Sequence, residues 1–316
     1  MSILFDYTQI HIEISSRCTL RCPRCPRTEL LPAGLNRDIS LSEFQQAFPL
    51  ETLANIKKIV FCGDIGDPIY AQDFLEICTY IKSTNVKLVI VTNGSYRKAD
   101  WWVRLGEILS TQDQVTFSVD GWDQESNEKY RVNCNFDSII TGAKALRHSS
   151  QCYMVWSSIY FNFNEDHMSH IKDLAKKLGF DSFQTVKSSK FEGRYIVNGI
   201  DPLKPKNIAS TLIYEKDITT LTYPVASVTS LPKKHNWAKC LNREKDLFIS
   251  VDGIVMPCPW FNSGYQENTF IKQYQDKLSI KNRTLLDILE DAVWEEFLNK
   301  LDKDPLEICR LKCKNA

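Results

Sequence analysis

Cys18, Cys22 and Cys25 stand in the stretch SSRCTLRCPRCPRT, separated by three and two residues. Thiols this close together ligate metal or do redox work in a reducing compartment. Structural zinc wants four closed tetrahedral ligands. Here three thiols are local, and no His follows closely. Three thiolates suit a [4Fe–4S] cluster, where each ligated iron takes one thiolate and one iron stays open. An open iron can bind a substrate or a cofactor, as an open zinc position does in a catalytic site. Arg17, Arg21, Arg24 and Arg27 flank these thiols. They are expected to lower the thiol pKa values and to offset the negative charge of a cluster.

The chain has 316 residues and eleven cysteines, an odd number. The N-terminus, MSILFDYTQIHIEI, lacks the basic region and cleavage site of an export signal. Both facts argue against a disulfide framework, and the cytoplasm is the expected location. Cys62, Cys78, Cys134 and Cys152 lie in or beside apolar stretches and read as core residues. A formal net charge of zero gives no long-range steering toward nucleic acid or an anionic membrane. No apolar run approaches about 18 residues, so no membrane span is expected.

The elements that must position the cysteines alternate. Strands are expected at 9–15, 57–63, 87–92, 114–119, 153–161 and 182–186. Helices are expected at 41–48, 71–83, 98–110, 136–147 and 165–179, the last closed by Gly179. Several strands are near-continuous apolar runs, as in a parallel sheet buried on both faces. Right-handed crossovers would curl six such units into a partial, TIM-like (β/α)6 barrel. The stretch 191–239 has no clear pattern and reads as a connecting segment. DLFISVDGIVMPCPW predicts a β-hairpin turning at Asp252-Gly253. RTLLDILEDAVWEEFLNKL predicts one amphipathic helix over 283–301. The division expected is 1–190 for the barrel, 191–239 for the connection and 240–316 for a small C-terminal domain.

In a parallel barrel the loops after the strands form the active face. The cysteine trio follows the first strand. Gly66, Asp67 and Pro68 follow the second, Asn93 the third, and Ser118 and Asp120 close the fourth. Lys187, Glu192 and Tyr195 come after the sixth and are the candidates for moving a proton.

C-x3-C-x2-C after the first strand of such a barrel resembles the signature of radical S-adenosylmethionine (SAM) enzymes. The resemblance covers residues 9–190. It implies that the open iron chelates the amino and carboxylate groups of SAM. One electron then cleaves the sulfonium to methionine and a 5′-deoxyadenosyl radical. Gly66-Asp67-Pro68 resembles the family's Gly-Glu-Pro segment, which meets the SAM amino group. Ser118 resembles a Ser that touches ribose or carboxylate, and Arg131 an Arg that pairs with the carboxylate. Asn93 and Asp120 share that edge and are further cofactor-binding candidates. Arg24 departs from the pattern, since family members carry an aromatic or apolar residue just before the third cysteine.

Cys240, Cys258, Cys309 and Cys313 form a second set. Read alone, they are buried thiols with a chance pair, or a four-cysteine zinc site. The hairpin ending at Pro257-Cys258-Pro259 resembles the C-terminal extension known as SPASM, or its shorter form, twitch. That resemblance implies one auxiliary [4Fe–4S] cluster on these four thiols. The function expected is abstraction of hydrogen from a substrate, for oxidation or dehydrogenation of a small molecule or modification of a peptide. It implies an external one-electron donor, flavodoxin- or ferredoxin-like. Only residues 1–8 precede the first strand, so no N-terminal leader-binding module is expected. The rival expectation is a non-catalytic iron–sulfur or zinc protein that uses the barrel for electron transfer or assembly.

Overall fold

A computed structural model describes residues 7, 9–30, 36–186, 188, 191, 196–197, 199–206, 238, 240–241, 246–261 and 269–313. The chain divides into two compact units. The first comprises 1–17, 32–88 and 222–316; the second comprises 18–31 and 89–221.

The first unit is built on β1 (Gln9–Ile12), with β2 (Lys58–Phe61) parallel to it on one side. On the other side β1 takes a strand from the far end of the sequence. Ile10 pairs with Leu247 and Ile12 with Ile249, in parallel. The helix Leu41–Ala47 begins at Ser40, whose hydroxyl accepts the Glu43 N–H while the Glu43 carboxylate accepts the Ser40 N–H. Such a reciprocal cap satisfies two backbone donors that the first turn leaves open. The helix then buries Phe44 against Phe48, Phe61 and Tyr80.

The second unit opens within β3 (Lys87–Thr92) and continues with β4 (Gln114–Ser118), β5 (Tyr153–Ile159) and β6 (Ser182–Val186). Residues 89–92 of β3, β4, β5 and β6 pair in that order, all parallel. Helices Ala99–Ile108, Phe136–Ser149 and Met168–Lys177 occupy the crossovers. Trp102 stacks on Phe117 of β4 with ring centroids 5.0 Å apart, and both are fully buried. Gly179 follows the last of these helices with φ 81°.

Two C-terminal expectations fare differently. β7 (Leu247–Ile249) and β8 (Val255–Met256) form the predicted antiparallel hairpin, turning through Gly253 at φ 81°. The single helix predicted over 283–301 is two, Leu285–Glu290 and Ala292–Lys303. Asp291 makes the break. Its carboxylate accepts the Val293 N–H at 2.9 Å and caps the second helix, and Arg283 Nη2 clamps it at 2.8 Å. An apolar period alone does not reveal such an internal cap. No helix among the described residues is long and apolar enough to cross a membrane.

Candidate functional site

In the second unit the cysteine loop leaves Cys18 and Cys25 partly exposed and Cys22 buried. All three pack on one shell containing Leu20, Tyr130, Phe161 and Phe191. The loop holds its shape through two turns, with the Cys25 N–H on the Cys22 carbonyl at 3.1 Å and Thr28 N–H on Cys25 at 2.9 Å. Residues before the helix Phe136–Ser149 fix its outer edge. The Arg21 N–H reaches the Val132 carbonyl at 3.0 Å, and Asn133 Nδ2 the Thr19 carbonyl at 2.7 Å. Asn93, just past β3, brings its Nδ2 to 3.7 Å from the Cys18 sulfur.

Burial pushes the Cys22 thiol up to about 11, against the pull of the neighbouring Arg131 guanidinium. At Cys22 the lowering expected of the loop arginines does not prevail. Desolvation outweighs charge at Cys22, and the cation acting on it is Arg131, over a hundred positions away in sequence. Arg17 faces Asp38 instead, at 3.4 Å. Arg24 is 3% exposed and gives both terminal nitrogens to Asp201, one of them at 2.9 Å. Its guanidinium also lies 5.4 Å from the centre of the Phe191 ring.

Arg131 is set by Asp120. Its Nε donates to Asp120 Oδ2 at 2.6 Å, and Oδ1 of the same carboxylate accepts the Ile159 N–H at 2.6 Å. Burial pushes the Asp120 carboxyl up, opposed by Arg131 and the Ile159 N–H. Burial also works against the guanidinium charge, but Asp120 and Cys22 more than offset it, so Arg131 stays charged. Ser118 ends β4 half-buried, paired in register with Ser157 of β5.

Gly66, Asp67 and Pro68 belong to the first unit. There Glu13, just past β1 and 1% exposed, collects the N–H groups of Asp64, Ile65 and Gly66 on one carboxylate oxygen at 2.5–3.3 Å. Consecutive backbone donors of this kind form a nest for an anion. An added Cβ at Gly66 would lie 1.7 Å from the Ser15 carbonyl oxygen, so only glycine lets the loop press so close. The Asp67 N–H donates to the Arg17 carbonyl at 2.8 Å, and its carboxylate accepts the Ile69 N–H at 3.2 Å, capping the turn begun by Pro68. The sequence reading missed Glu13; a lone acid at the end of an apolar strand was its one available signal.

The second cysteine set also lies in the first unit. Cys240, Cys258 and Cys309 are buried and Cys313 is partly exposed. Burial pushes Cys240 up to about 12, and Cys258, Cys309 and Cys313 each add to that rise. Cys309 reaches about 12 by burial, with Cys258 and Cys313 adding. The four thiols are thus near enough to feel one another's charge. Among the described residues no three Cys, His, Asp or Glu side chains are gathered as for a single metal ion. For both sets the fit to an iron–sulfur cluster rests on the chemistry of the donors: three thiols on one apolar shell with Arg131 acting on Cys22 in one, and four thiols of which Cys240 responds to the other three in the other. Lys187, Glu192 and Tyr195 lie outside the described residues. Of the cysteines expected in the core, Cys78, Cys134 and Cys152 are buried and Cys62 is partly so.

The model of the Radical SAM superfamily matches residues 12–178, more than half the chain, and that of SPASM, an iron–sulfur cluster-binding domain, matches 240–314. The chain belongs to the radical SAM superfamily. It is 23% identical over 170 residues to the AdoMet-dependent heme synthase of Methanosarcina barkeri, covering 53% of this chain and 46% of that protein. A tungsten-containing aldehyde ferredoxin oxidoreductase cofactor-modifying protein of Pyrococcus furiosus is 23% identical over 92% of this chain and 83% of its own length. Streptococcus suis SuiB bound to S-adenosylmethionine has a similar fold, with a TM-score of 0.59 at 18% identity, covering 90% of this chain and 66% of that one. The protein anSMEcpe, solved with AdoMet and a peptide, gives 0.56 at 16% identity, covering 97% and 86%. The fold is that of the partial barrel expected from sequence, and membership carries a SAM-binding [4Fe–4S] cluster and auxiliary iron–sulfur binding.

Proposed function

We propose that this chain cleaves SAM reductively and abstracts a hydrogen atom from a small molecule or a peptide side chain, for oxidation or another modification. The carrying observation is the cysteine trio on one shell, with the Arg131 guanidinium beside Cys22 and held by Asp120. With the cluster and SAM bound, one-electron reduction from an external flavodoxin- or ferredoxin-like donor supplies a 5′-deoxyadenosyl radical. Cys18, Cys22 and Cys25 hold the cluster and leave one iron open. Arg131 offers a charged fork to the SAM carboxylate, a geometry suited to planar anions. By the family resemblance, Gly66, Asp67 and Pro68 would meet the amino group of SAM. Asn93, Ser118 and Asp120 complete the cofactor side, Asp120 by supporting Arg131. Tyr130, Phe161 and Phe191 line the thiols and exclude water and stray hydrogen donors. Lys187, Glu192 and Tyr195 are proposed to move the substrate proton. Cys240, Cys258, Cys309 and Cys313 would hold one auxiliary [4Fe–4S] cluster, a group that would supply an electron acceptor for an oxidised substrate.

The test is anaerobic reconstitution with iron and sulfide, then dithionite and SAM. The expected product is 5′-deoxyadenosine, abolished by changing Cys18, Cys22 and Cys25 together to Ala. Stoichiometric zinc without cleavage would overturn the reading and favour the non-catalytic alternative. A screen of deuterated candidate substrates, read as label entering 5′-deoxyadenosine, then identifies the carbon attacked.

A further inference from the structure

Arg24 sits between two of the thiols, yet its charge is not aimed at them. It is buried, paired through both terminal nitrogens with Asp201, and placed over the face of Phe191. The side chains of the pair are 4% and 1% exposed. Asp201 is itself anchored. Its carboxylate accepts the Leu203 N–H at 3.0 Å, and the Leu203 carbonyl accepts the Asn162 N–H at 3.1 Å. Asn162 Nδ2 also donates to the Pro202 carbonyl at 2.6 Å, and the Lys206 N–H reaches the Glu165 carboxylate at 3.0 Å. The segment 201–206 is therefore tied to the loop after β5, and Arg24 ties the cysteine loop to that segment.

We propose that Arg24 and Asp201 form a clamp that holds the cysteine loop in its ligand-bearing shape before any cluster is bound. Arg24 is thus a positioning residue for Cys22 and Cys25. The physical case is one of geometry and cost. The loop 18–28 is short, with two turn hydrogen bonds and few apolar side chains of its own. A bidentate guanidinium–carboxylate pair fixes direction as well as distance. Breaking one partner of a buried pair leaves an uncompensated charge, so the clamp opens only at a high cost. A loop ordered in advance binds its cluster without ordering the ligands at that moment. The inference rests on the reading that these three thiols hold the cluster.

The test labels the chelated, cluster-free full chain with iodoacetamide and follows each cysteine by mass spectrometry. Cys78 and Cys152, buried in the two units' cores, report global opening. Asp201→Asn is expected to raise alkylation of Cys22 and Cys25 by at least about tenfold while Cys78 and Cys152 stay protected. The same variant, once reconstituted, is expected to lose iron to a chelator several-fold faster than the parent. Wild-type labelling of Cys22 and Cys25 in Asp201→Asn would overturn the clamp. If all four cysteines become reactive together, Arg24→Lys decides. It keeps the charge but loses the fork, so selective exposure of Cys22 and Cys25 supports the clamp and a parental profile refutes it. Failure of the underlying reading looks different: Cys22→Ala would then leave the reconstituted iron content unchanged, whatever the labelling shows.

Discussion

Arg131 reaches the cysteine loop because Asp120 holds it there, and this pair is where a single change has the clearest consequence. Asp120→Asn keeps the shape and the acceptor for the Ile159 N–H but removes the counter-charge. Loss of one partner from a buried ion pair costs about 3–5 kcal/mol. The expected outcome is a lower urea midpoint, together with a raised SAM concentration for half-maximal 5′-deoxyadenosine formation. A midpoint equal to the parent's would sink the assignment. That thiols, an Arg and an Asp belong to this part of the chain was legible from sequence. Their division of labour was not. Asp120 is expected at the cofactor edge, and spacing does not show that its two carboxylate oxygens are engaged by Arg131 and the Ile159 N–H. Arg24 read as a cation for the cluster, yet its partner is Asp201, 177 positions away. Which of several nearby charges pair depends on long-range burial, and local spacing does not encode that.

At the scale of elements, the loop after β2 is shaped from two sides. Glu13 draws in three consecutive N–H groups, and Gly66 lies flat against the Ser15 carbonyl. Gly66→Ala must push the loop away from the end of β1, since backbone cannot yield as a side-chain tip can. The change is expected to weaken SAM binding at least about tenfold, equivalent to roughly 1.4 kcal/mol, while iron content stays at the parental level. Equilibrium dialysis with labelled SAM measures the first and colorimetric iron the second; undiminished binding would contradict the role given to this loop. Elements with a sustained period were legible: Lys87–Thr92 and Ser182–Val186 have the predicted bounds. The stretch 283–301 was not, because Asp291 caps a helix inside an unbroken apolar stripe. The short helices Thr269–Tyr274 and Glu307–Cys313 also escaped, each too brief to establish a period.

At the scale of the whole molecule, the two cysteine sets predict two four-iron clusters, about eight irons per chain. Changing Cys309 and Cys313 to Ala is expected to remove about half the iron and spare some 5′-deoxyadenosine formation. Iron content untouched by that change would show that the auxiliary cluster is misplaced. The pairing of β1 with β7 has a separate consequence, for synthesis. Gln9 meets Asp246, 237 positions later. As the chain leaves the ribosome, one edge of β1 has no partner until residues 247–249 have emerged. An unpaired apolar strand edge is a template for the wrong neighbour. β1 is thus closed on that side long after it is made, and translation speed and chaperone occupancy along the intervening codons bear directly on yield.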